Sequence, residues 1–328
     1  MKSLKSLKGL SSLSNLSSFK SFKSFKFKSL ALICCVVMIV TAFTACGGGA
    51  DGERVIRVGG KDFTEQLILA QIAIVALENA GIPIDTTPTH LGGTDVTRSA
   101  MLDGAFDLYW EYTGTAWMMF LGYDHIIQDT TEMFNRIRDW DYANDVIWFP
   151  YAPLNNTYVV MMPRARAEEL ELRTLTDLAD YLRVNPGTLV FGGDHEFTVR
   201  PDGLPGLMQH YGFNFEGRDV MVMDMGVVFM ALGDGQIDLG MGFATDGRIL
   251  ALDLVVLEDN LDYFPSYNVT VNMRRDALEA YPEIETTLRP IIARLTDAVM
   301  MQLNALVDIY DYTPREVAED WLKGEGLI

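Results

Sequence analysis

The sequence predicts an α/β protein in which strands alternate with helices around largely parallel sheets. Three observations support this. A β-branched run at 54–60 is followed by apolar residues at helical spacing. The same alternation resumes after residue 155, and a short motif, D-G-x-apolar-D-L, begins at Asp103 and again at Asp234. Alternating strand and helix patterns are typical of sheets whose parallel strands are joined by helices.

The first elements are a strand at 54–60 and a helix at 61–81, which stops at a glycine. Asp62 and Glu65 stand three residues apart before the apolar run, so we expect them to form a capping box. We also predict strands at 156–163 and 187–193, helices at 175–184 and 203–211, a helix beginning at Thr94 or Asp95, and helices from Tyr281 onwards.

The repeated motif places aromatic residues at equivalent positions. Tyr112 and Phe243 each lie eight residues after the glycine of their copy. Each copy predicts a glycine turn, a strand and a loop at the carboxyl end of that strand, where open α/β sheets bind ligands. The repeat therefore indicates two related lobes that each send one aromatic side chain into a shared cleft. The alternative is that the motif is a common turn without further meaning.

Residues 1–45 have the composition of an export signal. They hold seven lysines, no acidic residue, and an apolar run of 16 residues from Leu30 to Ala45. This run is shorter than the roughly 20 residues needed to span a bilayer. Cys46 follows F-T-A and resembles the lipid-attachment cysteine of bacterial lipoproteins, and the glycine-rich residues 46–53 predict a flexible tether. A plain secretory signal with an incidental cysteine is the alternative.

Charge and composition exclude several classes of function. Taking the seven lysines from the net charge of −19 leaves −26 for residues 46–328, which argues against nucleic-acid binding by phosphate neutralisation. The only cysteines are Cys34, Cys35 and Cys46, and the four histidines are scattered, so we expect no disulfide and no metal site. The sequence contains neither a P-loop nor a G-x-S-x-G motif, and we expect neither catalysis nor a cofactor.

Six motifs connect the chain to a known family. They are, in order, GGKDFTEQ, LGGTDV, DLYWEYTGT, NNTYVV, HEFTVRPDGLPGL and FATDGRI. Together, over roughly residues 54–328, they resemble the substrate-binding proteins of ABC importers for glycine betaine, choline and proline betaine. The resemblance implies a type II periplasmic-binding-protein fold with the ligand sealed between two α/β lobes. Lobe 1 would comprise 54–157 and 263–328, and lobe 2 would comprise 158–262.

The same resemblance implies an aromatic cage for a quaternary ammonium group. Its members would be Tyr112, Tyr158, Phe243 and Tyr267, with Phe243 at a position where the family usually has tyrosine. The face of an aromatic ring attracts such a cation through its negative quadrupole charge. The other aromatic residues of segment 107–117 are assigned to packing: Tyr109, Trp110 and Trp117.

The resemblance further implies that Lys61, Thr115 and Arg200 bind the carboxylate of a betaine. Choline has no carboxylate and would leave the two cations unpaired, so we expect glycine betaine in preference. Two alternatives remain open for these residues. Lys61 could be a surface lysine, and Arg200 could pair with Asp202 or Asp194.

The function predicted from this resemblance is that of an exported, lipid-anchored receptor for a quaternary-ammonium osmoprotectant. It would deliver its ligand to a permease and an ATPase on separate chains, with its lobes closing by hinge motion. Three alternatives remain: a receptor for choline, carnitine or another small amine or amino acid; an enzyme on the same fold; and a sensor lobe that presents its ligand state to a partner.

Overall fold

The computed structural model describes residues 54–123, 125–127 and 129–328. The predicted export signal at 1–45, the tether at 46–53 and Cys46 lie outside the described residues. Residues Arg54–Ile328 form one compact unit. Within the described ranges, no helix combines the length and the apolar composition needed to cross a bilayer.

Three sheets are formed by the described strands. Their bounds are β1 Gly59–Gly60, β2 Thr89–His90, β3 Leu108–Tyr112, β4 Val146–Trp148, β5 Tyr158–Pro163, β6 Phe191–Gly193, β7 Val220–Val222, β8 Leu239–Phe243, β9 Leu254–Leu257 and β10 Val269–Arg274. β1 pairs with β2, three strands follow the order β3-β10-β4, and five follow the order β7-β6-β8-β5-β9.

Helices surround these sheets. Their bounds are α1 Thr64–Asn79, α2 Thr94–Leu102, α3 Thr130–Asp141, α4 Arg164–Leu170, α5 Leu175–Val184, α6 His195–Val199, α7 Leu204–Tyr211, α8 Met225–Gly233, α9 Arg248–Ala251, α10 Arg275–Ala280, α11 Glu283–Ile292, α12 Asp297–Asp308 and α13 Pro314–Gly324. A helical turn at Thr113–Thr115 continues into a π-helical turn at Ala116–Phe120. α1 is buried almost all round and packs against α11, α12 and α13, as expected for a helix without a polar face.

The α/β fold class is confirmed, but neither of the two larger sheets is mostly parallel as predicted: the five-stranded sheet is mixed and the three-stranded sheet is antiparallel. β6 runs parallel to β7 and β8. β5 runs antiparallel to β8 and β9, and β10 runs antiparallel to β3 and β4. β5 and β10 are the strands that the chain enters after passing from one sheet to the other. They are not joined to their neighbours by a β-α-β crossover, which is the connection that makes consecutive strands parallel.

The helix predicted at 61–81 begins at Thr64, and the expected capping box is wrong. Phe63 is the N-cap residue, and no side chain caps this helix end. Glu65 is buried and accepts a hydrogen bond of 2.8 Å from the hydroxyl of Tyr112. Because the carboxylate of Glu65 points into the interior, it cannot accept a hydrogen bond from the backbone at the start of this helix.

The aromatic residues of the repeat occupy the same place in two sheets. Tyr112 is the last residue of β3, and Phe243 is the last residue of β8. The antiparallel register places Tyr158, the first residue of β5, opposite Phe243. Tyr267 lies two residues before β10, whose first residue pairs with Tyr112. Strand ends therefore supply all four predicted cage residues. The lobe boundaries at 157/158 and 262/263 stay a prediction.

Candidate ligand-binding cleft

A cleft of about 1050 Å³ lies at these strand ends. Each ligand-binding residue expected from the sequence lines it: Lys61, Tyr112, Thr115, Tyr158, Arg200, Phe243 and Tyr267. Residues separated by up to 206 positions, the interval from 61 to 267, therefore reach one cavity. No cluster of three or more histidine, cysteine or acidic side chains suited to a metal ion occurs among the described residues.

Tyr158 is at the centre of the aromatic group. Its ring centroid lies 5.2 Å from that of Phe243 and 5.3 Å from that of Tyr267. The rings of Tyr158 and Tyr267 are nearly perpendicular, at 84°. Two rings at this angle form a corner in which one face of each ring can contact the same small cation.

Phe63 joins Tyr112 to this group and was not predicted from the sequence. Its centroid lies 6.3 Å from that of Tyr112 and 5.0 Å from that of Phe243. Its position could have revealed it, because Phe63 follows β1 closely and lies two residues after Lys61 in the GGKDFTEQ motif. The cleft thus contains five connected aromatic side chains rather than four.

Lys61 is buried, with 5% of its surface exposed, so the alternative of a surface lysine is wrong. Its ammonium group donates a hydrogen bond of 2.7 Å to Glu111, whose side chain is completely buried. The Nζ atom also lies 5.3 Å from the ring centroid of Tyr112. A protein cation therefore already faces this ring.

Arg200 pairs with Asp202 and not with Asp194. Its Nε and Nη2 atoms donate two hydrogen bonds of 2.6 Å to the two oxygens of Asp202. Its Nη1 atom donates to the hydroxyl of Tyr158 and to Glu196, both at 2.9 Å. The guanidinium is buried beside the rings and is neutralised within the protein.

These two ion pairs remove the reason for expecting glycine betaine rather than choline. Lys61 and Arg200 were expected to remain unpaired unless the ligand brought a carboxylate. Glu111 and Asp202 already supply the opposite charges. The positive groups of the cleft therefore do not exclude a ligand without a carboxylate.

Glu65 is a second cleft residue that was not predicted from the sequence. It lines the cleft and accepts hydrogen bonds from Tyr112 at 2.8 Å, Asn156 at 2.9 Å and Thr245 at 2.6 Å. Burial raises the pKa of its carboxyl group, and these hydrogen bonds only partly oppose that effect. A buried carboxylate thus touches the hydroxyl of one cage tyrosine.

The other aromatic residues near Tyr112 have a packing role, as predicted. Tyr109, Trp110 and Trp117 are fully buried in the hydrophobic core. Thr115 is buried at the cleft wall, in the helical turn that follows β3.

Comparison with known proteins gives one family. Residues 54–324 match the sequence model of OpuAC, the substrate-binding domain of the ABC-type glycine betaine transport system. The chain is 39% identical over 295 residues to a glycine-betaine-binding protein of Pseudomonas aeruginosa, covering 87% of this chain and 93% of that protein. It is 32% identical over 279 residues to the glycine betaine-binding protein YehZ of Escherichia coli, covering 83% and 90%. Among solved structures, a glycine betaine/carnitine/choline ABC transporter protein aligns with a TM-score of 0.66 at 27% identity, covering 83% of this chain and 99% of that one.

Proposed function

The chain belongs to the OpuAC family of ABC-importer substrate-binding domains, and from this premise we propose that it captures glycine betaine for such an importer. The family consists of transport proteins rather than enzymes, and the binding proteins of ABC importers work outside the cytoplasm. The observation that carries the proposal is the convergence of Tyr112, Tyr158, Phe243 and Tyr267 on one cleft.

In this proposal the aromatic residues hold the trimethylammonium group. Such a group has no N–H to donate, so hydrogen-bond acceptors recognise it poorly, whereas ring faces attract its charge. Each desolvated ring contributes about 0.5–2 kcal/mol. Phe243 keeps the ring face that a tyrosine would offer and lacks only the hydroxyl.

The carboxylate of glycine betaine would bind near Lys61, Thr115 and Arg200. The Lys61 ammonium has three protons and uses one of them for Glu111, so two remain for a ligand. The hydroxyl of Thr115 adds a donor at the cleft wall. Arg200 would act mainly through its charge, because four of its donor contacts go to Asp202, Glu196 and Tyr158.

Calorimetric titration with glycine betaine, choline, carnitine and proline tests the proposal. We expect saturable binding of glycine betaine and its loss in Tyr158→Ala. Tyr310→Ala is the matched control, because Tyr310 is 65% exposed and does not line the cleft. No binding of any quaternary amine by the wild-type protein would contradict the proposal.

Choline is a second candidate ligand, favoured by one specific observation. Lys61 and Arg200 are both paired with internal carboxylates, so a ligand without a carboxylate leaves no buried cation uncompensated. A higher affinity for choline than for glycine betaine in the same titrations would select it.

We further propose that Cys46 carries a lipid anchor and that the permease and ATPase are separate chains. The motif before Cys46 and the glycine-rich tether at 46–53 support the anchor. Incorporation of labelled palmitate should be lost in Cys46→Ser. Labelling that persists in this variant would contradict the anchor.

A further inference from the structure

Buried carboxylates in the described part of the chain almost always have a cationic partner. Arginine or lysine forms an ion pair with each of the following: Asp107, Glu111, Asp141, Asp202, Asp219 and Asp246. Glu65 is equally buried, with 2% of its surface exposed, and no described lysine or arginine forms an ion pair with it. It therefore differs from every other buried carboxylate that the structure describes.

The partners of Glu65 are all neutral. One oxygen accepts hydrogen bonds from the Tyr112 hydroxyl and the Asn156 amide, at 2.8 and 2.9 Å. The other accepts from the Thr245 hydroxyl at 2.6 Å and the Asn304 amide at 3.4 Å. These dipoles stabilise the charge, but they do not neutralise it. A buried charge without a counter-charge is unfavourable.

The position of Glu65 places its uncompensated negative charge at the cleft. It lines the cleft and contacts the hydroxyl of Tyr112, while its neighbour Phe63 connects Tyr112 to Phe243. The nearby cation Lys61 is neutralised by Glu111 and so does not compensate Glu65.

We propose that Glu65 is the counter-charge of the ligand's quaternary ammonium group. The bound cation completes an ion pair that the protein leaves open beside the aromatic cage. This inference deepens the proposed function and rests on it, because it assigns the recognition of positive charge to a residue outside the predicted cage.

The hydrogen bonds of Glu65 also explain why the cation should carry no N–H group. Both carboxylate oxygens are already occupied by donors from Tyr112, Asn156, Thr245 and Asn304. A primary or secondary ammonium would have to displace one of them to donate its own proton. A trimethylammonium group interacts through its charge alone and leaves all four bonds intact.

A pair of isosteric ligands separates charge recognition from shape. Glycine betaine and 3,3-dimethylbutanoate have the same shape, but the second replaces the quaternary nitrogen by carbon and has a neutral head. We measure the affinity of both for the wild-type protein, Glu65→Gln and Thr245→Val. Glu65→Gln removes the charge, whereas Thr245→Val removes one hydrogen bond to Glu65 and keeps the charge.

We expect the preference for glycine betaine over its neutral isostere to fall by about tenfold or more in Glu65→Gln. In Thr245→Val both affinities should fall together, with the preference kept within about threefold.

If Glu65 has a purely structural role, Glu65→Gln will lower the affinity for both ligands equally and leave the preference unchanged. That result would overturn the inference. If circular dichroism shows that Glu65→Gln does not fold, Glu65→Met removes the same charge at similar length. Failure of the wild-type protein to bind any quaternary amine would instead overturn the proposed function.

Discussion

The carboxylate of Glu196 accepts a hydrogen bond of 2.9 Å from the backbone nitrogen of Thr94, a residue 102 positions earlier in the chain. Glu196 belongs to α6, which follows a strand of the five-stranded sheet, whereas Thr94 begins α2 after β2. Both residues line the cleft. Burial alone would raise the pKa of Glu196, but the charges of Lys61 and Arg200 and the bond from Thr94 outweigh burial and lower that pKa. The bond therefore joins two walls of the cleft through an ionised group.

Gly93 makes this close contact possible, and Gly93→Ala should weaken it. A Cβ atom at position 93 would lie 2.3 Å from Oε2 of Glu196, so the carboxylate must move away from Thr94. We expect the rate of glycine betaine release, measured by stopped-flow fluorescence, to rise about tenfold, the effect of losing a charged hydrogen bond. Gly92→Ala is the control, because nothing lies within 4 Å of its added Cβ. Equal release rates for the two variants would contradict the prediction.

Arg200→Met should destabilise the protein by about 3–5 kcal/mol, because it leaves the buried carboxylate of Asp202 without a cation. Urea denaturation measures this change in the free energy of unfolding. The double variant Arg200→Met/Asp202→Leu removes both charges and should recover part of the loss. A double variant that is no more stable than the single one would show that the loss comes from packing rather than from the unpaired charge.

Gly114→Ala should displace the ring of Tyr267. The added Cβ would lie 2.7 Å from Cδ1 of Tyr267, whose side chain is almost fully buried and has little room to move. We expect a loss of about 1–3 kcal/mol in the free energy of unfolding, together with weaker ligand binding by calorimetry. Gly217→Ala meets no atom within 4 Å and serves as the control. Unchanged affinity in Gly114→Ala would contradict the prediction that the displaced ring of Tyr267 contacts the ligand.

Phe63→Leu should lower the affinity for quaternary amines by about tenfold, since it removes one ring face from the cleft. Phe134→Leu is a suitable control, because Phe134 is buried beside Tyr151 in a separate hydrophobic cluster. It should lower the melting temperature without changing the affinity. If both variants bind as tightly as the wild-type protein, Phe63 is a packing residue only.

The stability of the ligand-free protein should depend on pH through Glu65. Burial raises the pKa of this carboxyl above its ordinary value of 4.5, so the folded state binds the proton more tightly than the unfolded chain. The free energy of unfolding should therefore fall as the pH rises from about 4.5 through the raised pKa, and stay level above it. Tyr112, the titratable group in contact with Glu65, stays protonated in this range because burial raises its own pKa well above 10.

Urea denaturation of the wild-type protein and Glu65→Gln across this pH range isolates the contribution of Glu65. The difference between the two proteins should be smallest at the acid end, where Glu65 is protonated, and should grow in favour of Glu65→Gln as the pH rises. Parallel profiles would contradict the assignment of this pH dependence to Glu65.

Several elements were predictable because their signals are local. The helix predicted at 175–184 is α5, and the helix predicted at 203–211 is α7, Leu204–Tyr211. The repeated D-G-x-apolar-D-L motif identified Tyr112 and Phe243 as equivalent positions, and both are the last residues of their strands. The direction of β10 was not predictable in this way, because its neighbours β3 and β4 come from segments more than 100 residues earlier.

The sequence by itself determined the α/β fold class, several of the helices and the family, because periodicity, turn residues and motifs are properties of short segments. Only the tertiary structure decided how the charges are distributed around the cleft. The sequence allowed Lys61 to face solvent and Arg200 to pair with a different carboxylate. The fold instead pairs Lys61 with Glu111 and Arg200 with Asp202. The fold also leaves Glu65 surrounded by neutral donors from four separate segments. Such pairings depend on which distant side chains share a buried volume, and no local pattern encodes that.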